Sequence, residues 1–230
     1  MGNIIILEET TKYPLTLMGQ RAGVCWGGDI RDRDKNYRRG LDCLESGHGR
    51  VLEYVNVEMV IEGYSARVIR EWYTHIGGAP TRLQASTRYI NYGDFRYITP
   101  NSIKNNEEAE LRYEKCIAEI KDCTRYLTEQ CGIPREDAAM LLPLGMETKI
   151  VDKRNLRNII DMCQQRLCSR ANWEYRGMMR DVLAQLRALS DEWAYIVDNY
   201  CEPKCKKLGY CPEKHSCGLV EKRRQQPQGE

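Results

Sequence analysis

The sequence predicts a chain that mixes β-strands with long α-helices, and three stretches carry that prediction. Residues 51–61 place Val51, Val55, Val57, Met59 and Ile61 at odd positions, with Glu53 the only polar exception. A period of two marks a half-buried strand. Residues 104–131 carry Leu111, Tyr113, Ile117, Ile120, Thr124 and Leu127, which from Tyr113 recur at steps of three and four, the period of an amphipathic helix. Residues 172–200 do the same with Val182, Leu183, Leu186, Leu189, Trp193, Ile196 and Val197, the pattern of a core or subunit-interface helix.

The bulk numbers limit the function classes. The chain has 230 residues, 42% hydrophobic and 30% charged, enough for one domain with a proper core. A net charge of +2 argues against nucleic acid as a bulk electrostatic partner. No apolar run reaches membrane-spanning length, and the N-terminus shows no secretion signal. The eleven cysteines are then expected as reduced thiols, with a metal site left open, rather than as disulfides, in a cytoplasmic protein.

Each element follows in order. Residues 3–7 read as a short buried strand. A helix is expected from Pro14 to Ala22, after the cap candidates Thr10 and Thr11, and a charged loop over 29–39. Gly47-His48-Gly49 marks a turn carrying an imidazole before the 51–61 strand. The run from Glu62 is helix-like until Gly77-Gly78-Ala79-Pro80 breaks it. Paired glycines bring backbone close to a ligand and free its N–H groups. A dense polar set follows: Arg82, Gln84, Ser86, Thr87, Arg88 and Tyr89. Arg88 is a fixed cation with forked donors, suited to phosphate or carboxylate.

A polar, tyrosine-rich loop covers 90–103, Gly132 is a C-cap candidate for the 104–131 helix, and Pro134 suits the first turn of a short second helix. A helix over 151–170 would set Arg166 about 20° and Arg170 about 60° from Asn155, beside an apolar stripe of Leu156, Ile159, Ile160, Cys163 and Leu167. Both arginines then border the buried face, while Arg157 and Asp161 form an i,i+4 pair elsewhere on the helix. Finally, Cys201, Cys205, Cys211 and Cys217, with His215 among them, look like thiolate ligands on loops: zinc, an iron–sulfur cluster and plain reduced thiols all remain open. The expected organisation is a catalytic domain over 1–200, a Cys-rich tail over 201–217 and a disordered end over 218–230.

Several blocks resemble one family. Glu71-Trp72-Tyr73-Thr74-His75-Ile76 and Ser86-Thr87-Arg88-Tyr89 resemble the opening and end of the signature of the flavin-dependent thymidylate synthases, the ThyX family. Gly47-His48-Gly49-Arg50 with Glu53 resembles its Gly-His-x-Ser/Thr-x-x-Glu-His block, and the segment ending at Cys25 its flavin-side Ala-Arg-x-Cys/Ser. Asn155, Arg157, Asp161, Arg166 and Arg170 fall at the spacings of its Asn-x-Arg region, in type or in position. Thr74 and Ile76 replace arginines, Gln84 replaces a glutamate, and Ala139 replaces the arginine of an Ala-Arg-x-x-Leu-Pro block.

The resemblance, over about residues 1–200, implies an α+β fold with a sheet flanked by long helices, assembled as a homotetramer with shared sites. It implies conversion of dUMP to dTMP, with methylenetetrahydrofolate as carbon donor and NADPH reducing FAD. It assigns Ser86 and Arg88 to catalysis, and Glu71, Gln84, Ser86, Thr87, Arg88 and Arg166 to the nucleotide. It assigns His48, Arg50, His75, Asn155, Arg157, Asp161 and Arg170 to the flavin. Two alternatives stay open: the same chemistry on another pyrimidine nucleotide, such as hydroxymethylation, and a non-catalytic nucleotide- or nucleic-acid-binding protein.

Overall fold

The computed structural model describes residues 2–222. Four strands, β1 (Asn3–Ile6), β2 (Asn56–Ser65), β3 (Thr81–Gln84) and β4 (Glu147–Asn155), pair in the antiparallel order β1-β2-β4-β3. In β2, Val57, Met59 and Ile61 are fully buried. On alternate positions, Glu58 and Glu62 pair with Lys153 and Lys149 of β4, which holds the register. Backbone contacts divide the chain into two units: residues 2–3, 60–74 and 82–151, and residues 4–59, 75–81 and 152–222. Each is described by itself.

The first unit carries α3 (Ala66–Trp72), α4 (Asn101–Lys104), α5 (Glu107–Arg125) and α6 (Arg135–Ala138). Ser65 caps α3 by accepting from Val68 N, and Asn106 caps α5 by accepting from Ala109 N. Glu107, Glu108 and Glu110 complement the positive end of α5. Phe95, Ile117 and Met146 form its small core, with Tyr92, Tyr97 and Tyr113 packed around.

The second unit carries α1 (Pro14–Cys25), α2 (Arg33–Glu45), α7 (Leu156–Arg166), α8 (Trp173–Arg187), α9 (Asp191–Tyr200) and α10 (Lys204–Leu208). Its core includes Leu15, Met18, Ile159, Met178, Val182 and Trp193, all fully buried. α1 and α2 cross in backbone contact: a Cβ on Gly19 would lie 1.8 Å from the Asn36 carbonyl, and one on Gly40 would lie 1.9 Å from the Leu15 carbonyl. The N-terminus of α1 has no side-chain cap of its own. Glu192 of α9 supplies one, accepting from Thr16 N at 2.9 Å and Thr16 Oγ1 at 2.6 Å.

Several expectations need correction. The strand expected over 51–61 begins at Asn56, because Gly49–Tyr54 closes a 3₁₀ turn. The helix expected from Glu62 begins at Ala66, since β2 runs through Ser65. The charged loop over 29–39 is largely α2, started by Asp32 accepting from Lys35 N. The helix over 151–170 is β4 followed by α7, so Asn155 is an N-cap and Arg170 lies beyond the helix end. Ser190 separates the 172–200 run into α8 and α9. Of the end expected to be disordered, residues 223–230 lie outside the described residues.

Candidate active site

The second unit builds its polar centre from the end of β4. Asp152 and Arg154 point inward and are almost completely buried. Arg154 Nε and Nη2 meet both Asp152 oxygens, Nη2 at 2.7 Å, and Nη1 donates to Asn158 Oδ1 on α7. A bidentate, fully desolvated pair of this kind is rigid and costly to break from one side. Asn155 ends the strand and caps α7, its Oδ1 accepting from Asn158 N at 2.9 Å. The glycine turn presses on that cap. A Cβ on Gly78 (φ +74) would sit 2.2 Å from Asn155 Nδ2. Ala79, next to it, is the only non-glycine at positive φ among the described residues. The close approach expected of the paired glycines is thus made to Asn155.

His75 is buried against this frame. Arg166 Nε donates to His75 Nε2 at 2.9 Å, and its guanidinium stacks 4.6 Å from the Tyr175 ring centroid. Tyr175 in turn meets His75 edge-on at 6.1 Å. Burial lowers the His75 pKa to about 4, helped by the Arg166 and Arg154 charges. The ring is therefore neutral at ordinary pH, an acceptor at Nε2 and a donor at Nδ1. His75 and Arg166 hold each other in one orientation.

His48, Arg157 and Asp161 share a cavity of about 420 Å³. A second, of about 440 Å³, carries His48 and Arg50 beside Cys25, Trp26 and Tyr54. Arg157 pairs with Glu53 at 2.7 Å, not with Asp161, so the i,i+4 expectation is corrected. Arg170 stands apart from those cavities. It binds Glu213 of the tail and, with Arg166, lines a third cavity of about 500 Å³.

The first unit holds the other polar set. Arg88 pairs with Glu136 at 2.8 Å, both largely in solvent. Ser86 Oγ accepts from Arg88 N at 3.2 Å and shapes the turn. Gln84 reaches Thr148 at 3.4 Å, Thr87 is half-buried in the turn, and Glu71 lies 3.9 Å from Arg67. Arg82 donates to the Tyr73 carbonyl and stacks on its ring, while Arg135 donates to the Tyr89 carbonyl at 2.9 Å.

Four contributors were not singled out from sequence: Asp152, Arg154, Tyr175 and Arg135. For the first two a signal existed, the alternation of Thr148, Ile150, Asp152 and Arg154 along one strand face. A helix reading of that segment hides it. Tyr175 and Arg135 left no local signal, since their roles depend on long-range packing.

The family model for thymidylate synthase complementing protein, Thy1, matches residues 6–190. A flavin-dependent thymidylate synthase of Nitratidesulfovibrio vulgaris is 32% identical over 216 residues, covering 87% of this chain and 82% of that protein. One of Geobacter sulfurreducens is 31% identical over 218 residues, covering 91% and 90%. In fold, the chain is similar to thymidylate synthase X of Helicobacter pylori, solved with FAD and dUMP. The TM-score is 0.66 at 17% identity, covering 87% of this chain and 99% of that one.

Proposed function

We infer that this chain, which belongs to the thymidylate synthase complementing protein family, is a flavin-dependent thymidylate synthase, an FAD-dependent methyltransferase that converts dUMP to dTMP. The observation that carries this is the match to enzymes of that name at about 30% identity over most of both chains. We extend it to methylenetetrahydrofolate as carbon donor and NADPH as reductant, in a cytoplasmic homotetramer. Exposed Leu111, Met140 and Leu144 supply apolar surface for such an assembly. Catalysis is assigned to residues 1–200.

The residues present fit a flavin. Trp26 and Tyr54 offer exposed aromatic faces beside His48 and Arg50, and Arg157 adds a cation in the adjoining cavity. These suit a flat ring system carrying phosphates. We assign His48, Arg50, His75, Asn155, Arg157 and Asp161 to it. FAD, when bound, supplies the hydride of the reaction. Arg170 is tied to Glu213, and it joins this set only if that exposed pair opens.

The chain's own residues bind and polarise. Arg88 is assigned to the nucleotide phosphate. Its partner Glu136 is exposed, and an exposed pair is worth only about 0–1 kcal/mol, so a phosphate dianion can replace it. Ser86 holds the turn that carries Arg88, and Glu71, Gln84 and Thr87 are assigned to the nucleotide with it. Arg166, already oriented by His75, is the second cation assigned to the nucleotide. A fixed guanidinium on a uracil carbonyl makes the ring more electrophilic without moving a proton. Arg135 lies one helical turn before Ala139 and reaches the Ser86–Tyr89 turn. We assign to it the cation that Ala139 does not provide. Arg82 is committed to Tyr73 and is not a candidate.

The test is turnover. Purified protein should carry or take up FAD, its visible spectrum should shift with dUMP, and the product should have the mass of dTMP. A hydroxymethylated product would move the chain to another pyrimidine chemistry. Failure to take up FAD at all would overturn the reading.

A further inference from the structure

The structure regroups the tail cysteines. Cys201 is buried and free, and its thiol lies beside that of Cys163 on α7. Its place is taken by a cysteine from outside the tail. Cys168, in the turn after α7, lines the 500 Å³ cavity together with Cys205, Cys211, His215 and Cys217. The Cys205 thiol lies within electrostatic reach of Cys168 and Cys211. The Cys217 thiol lies near Ser169, the neighbour of Cys168 in sequence.

A second observation concerns what holds this segment. No residue from 206 to 222 is buried. The loop closes on itself through Cys211 N donating to the Glu221 carbonyl at 2.8 Å, but it has no apolar core. Small coreless segments are ordinarily held by disulfides or a metal. All four of these cysteines are free thiols.

We propose that Cys168, Cys205, Cys211 and Cys217 bind one zinc ion, and that Cys201 does not take part. Cys205 on α10 and Cys168 beside α7 are the fixed half of the shell. Among the described residues no three metal-binding side chains already stand at ligand spacing, so Cys211 and Cys217, on irregular backbone, close inward on the ion. Zinc exchanges for four thiol protons, and no oxidant or reductant is needed. Lys204, Arg166 and Arg170 line the same cavity and offset the negative charge of a tetrathiolate centre. Cys217 is chosen over His215 because its contact with Ser169 brings it beside Cys168. The inference is independent of the enzymatic reading.

The experiment uses the full chain. Elemental analysis should find about one zinc per chain. Alkylation mapped by mass spectrometry should show Cys168, Cys205, Cys211 and Cys217 protected, then modified once a chelator is added, with Cys201 unchanged by the chelator. C201S should keep its zinc and C168S should lose it. Zinc retained in C168S but lost in C201S would overturn the ligand set. So would chelator-dependent protection of Cys201 or His215 in place of Cys168, which the wild-type protein reports even if C168S fails to fold. Absence of zinc after growth in zinc-supplemented medium, or iron with a visible cluster spectrum, would overturn the metal itself.

Discussion

His75 shows how burial and a fixed cation act together on one ring. Its pKa of about 4 lies below the ordinary imidazole value, so the folded state resists the proton that the unfolded state accepts. The stabilisation is fully present above about pH 6.5 and is lost as pH falls toward 4. Urea titrations at pH 7 and pH 4.5 should show that loss, and His75→Gln should make the profile flatter by the His75 share. Arg166→Gln removes one of the two cations, and the His75 pKa, followed by NMR, should rise toward 6.5. No rise would mean that the Arg166 charge contributes nothing and that burial and Arg154 set the value. Arg88 is a different case. Because its side chain is 66% exposed, Arg88→Ala should change stability by less than about 0.5 kcal/mol. It should nevertheless abolish nucleotide-dependent turnover while flavin stays bound, and turnover at the wild-type rate would remove Arg88 from the site.

Among the elements, the crossing of α1 and α2 makes the sharpest claim. Gly40→Ala drives a methyl into the Leu15 carbonyl and should cost at least about 1–3 kcal/mol, read as a lower thermal midpoint. Gly177→Ala on α8 meets nothing within 4 Å and should instead stabilise by up to about 1 kcal/mol. An equal effect from both would mean the helices do not touch there. This crossing also explains what the sequence conceals. α2 buries Asn36, Gly40, Cys43 and Leu44, a face too short of large apolar side chains to show a stripe, so its charges read as a loop. β4 is hidden for another reason. Its inward positions end in Asp152 and Arg154, which neutralise each other and break the apolar alternation. Where burial is apolar, as at Val57, Met59 and Ile61, periodicity announces the strand. Likewise His75 and Arg166 stand out as residues, but their mutual contact joins positions 91 apart and leaves no local trace.

In the whole molecule, each of the two units is assembled from three separate stretches of sequence. The first unit takes residues 2–3 and two inner segments, 60–74 and 82–151, and the second unit takes the segments between and after them. Two buried electrostatic arrangements secure the second unit. Asp152→Asn would leave Arg154 a buried cation without its counter-ion, a loss of about 3–5 kcal/mol by chemical denaturation. Glu192→Ala should cost about 1–3 kcal/mol, because the Thr16 N–H loses the carboxylate that accepts from it at the head of α1.

That last contact has a consequence for synthesis on the ribosome. Thr16 and Glu192 are 176 residues apart, and Trp193 reaches back to the Thr11 carbonyl across 182. The first helix is therefore translated long before the residues that close its end. Until α9 emerges from the exit tunnel, the leading segment has its contacts with α2 and the start of β2 but not the acceptor at the head of α1, and the late closure of so long a loop slows its completion. Stalled nascent chains ending before residue 190 should be cut by protease near residues 11–16, and chains released beyond α9 should resist.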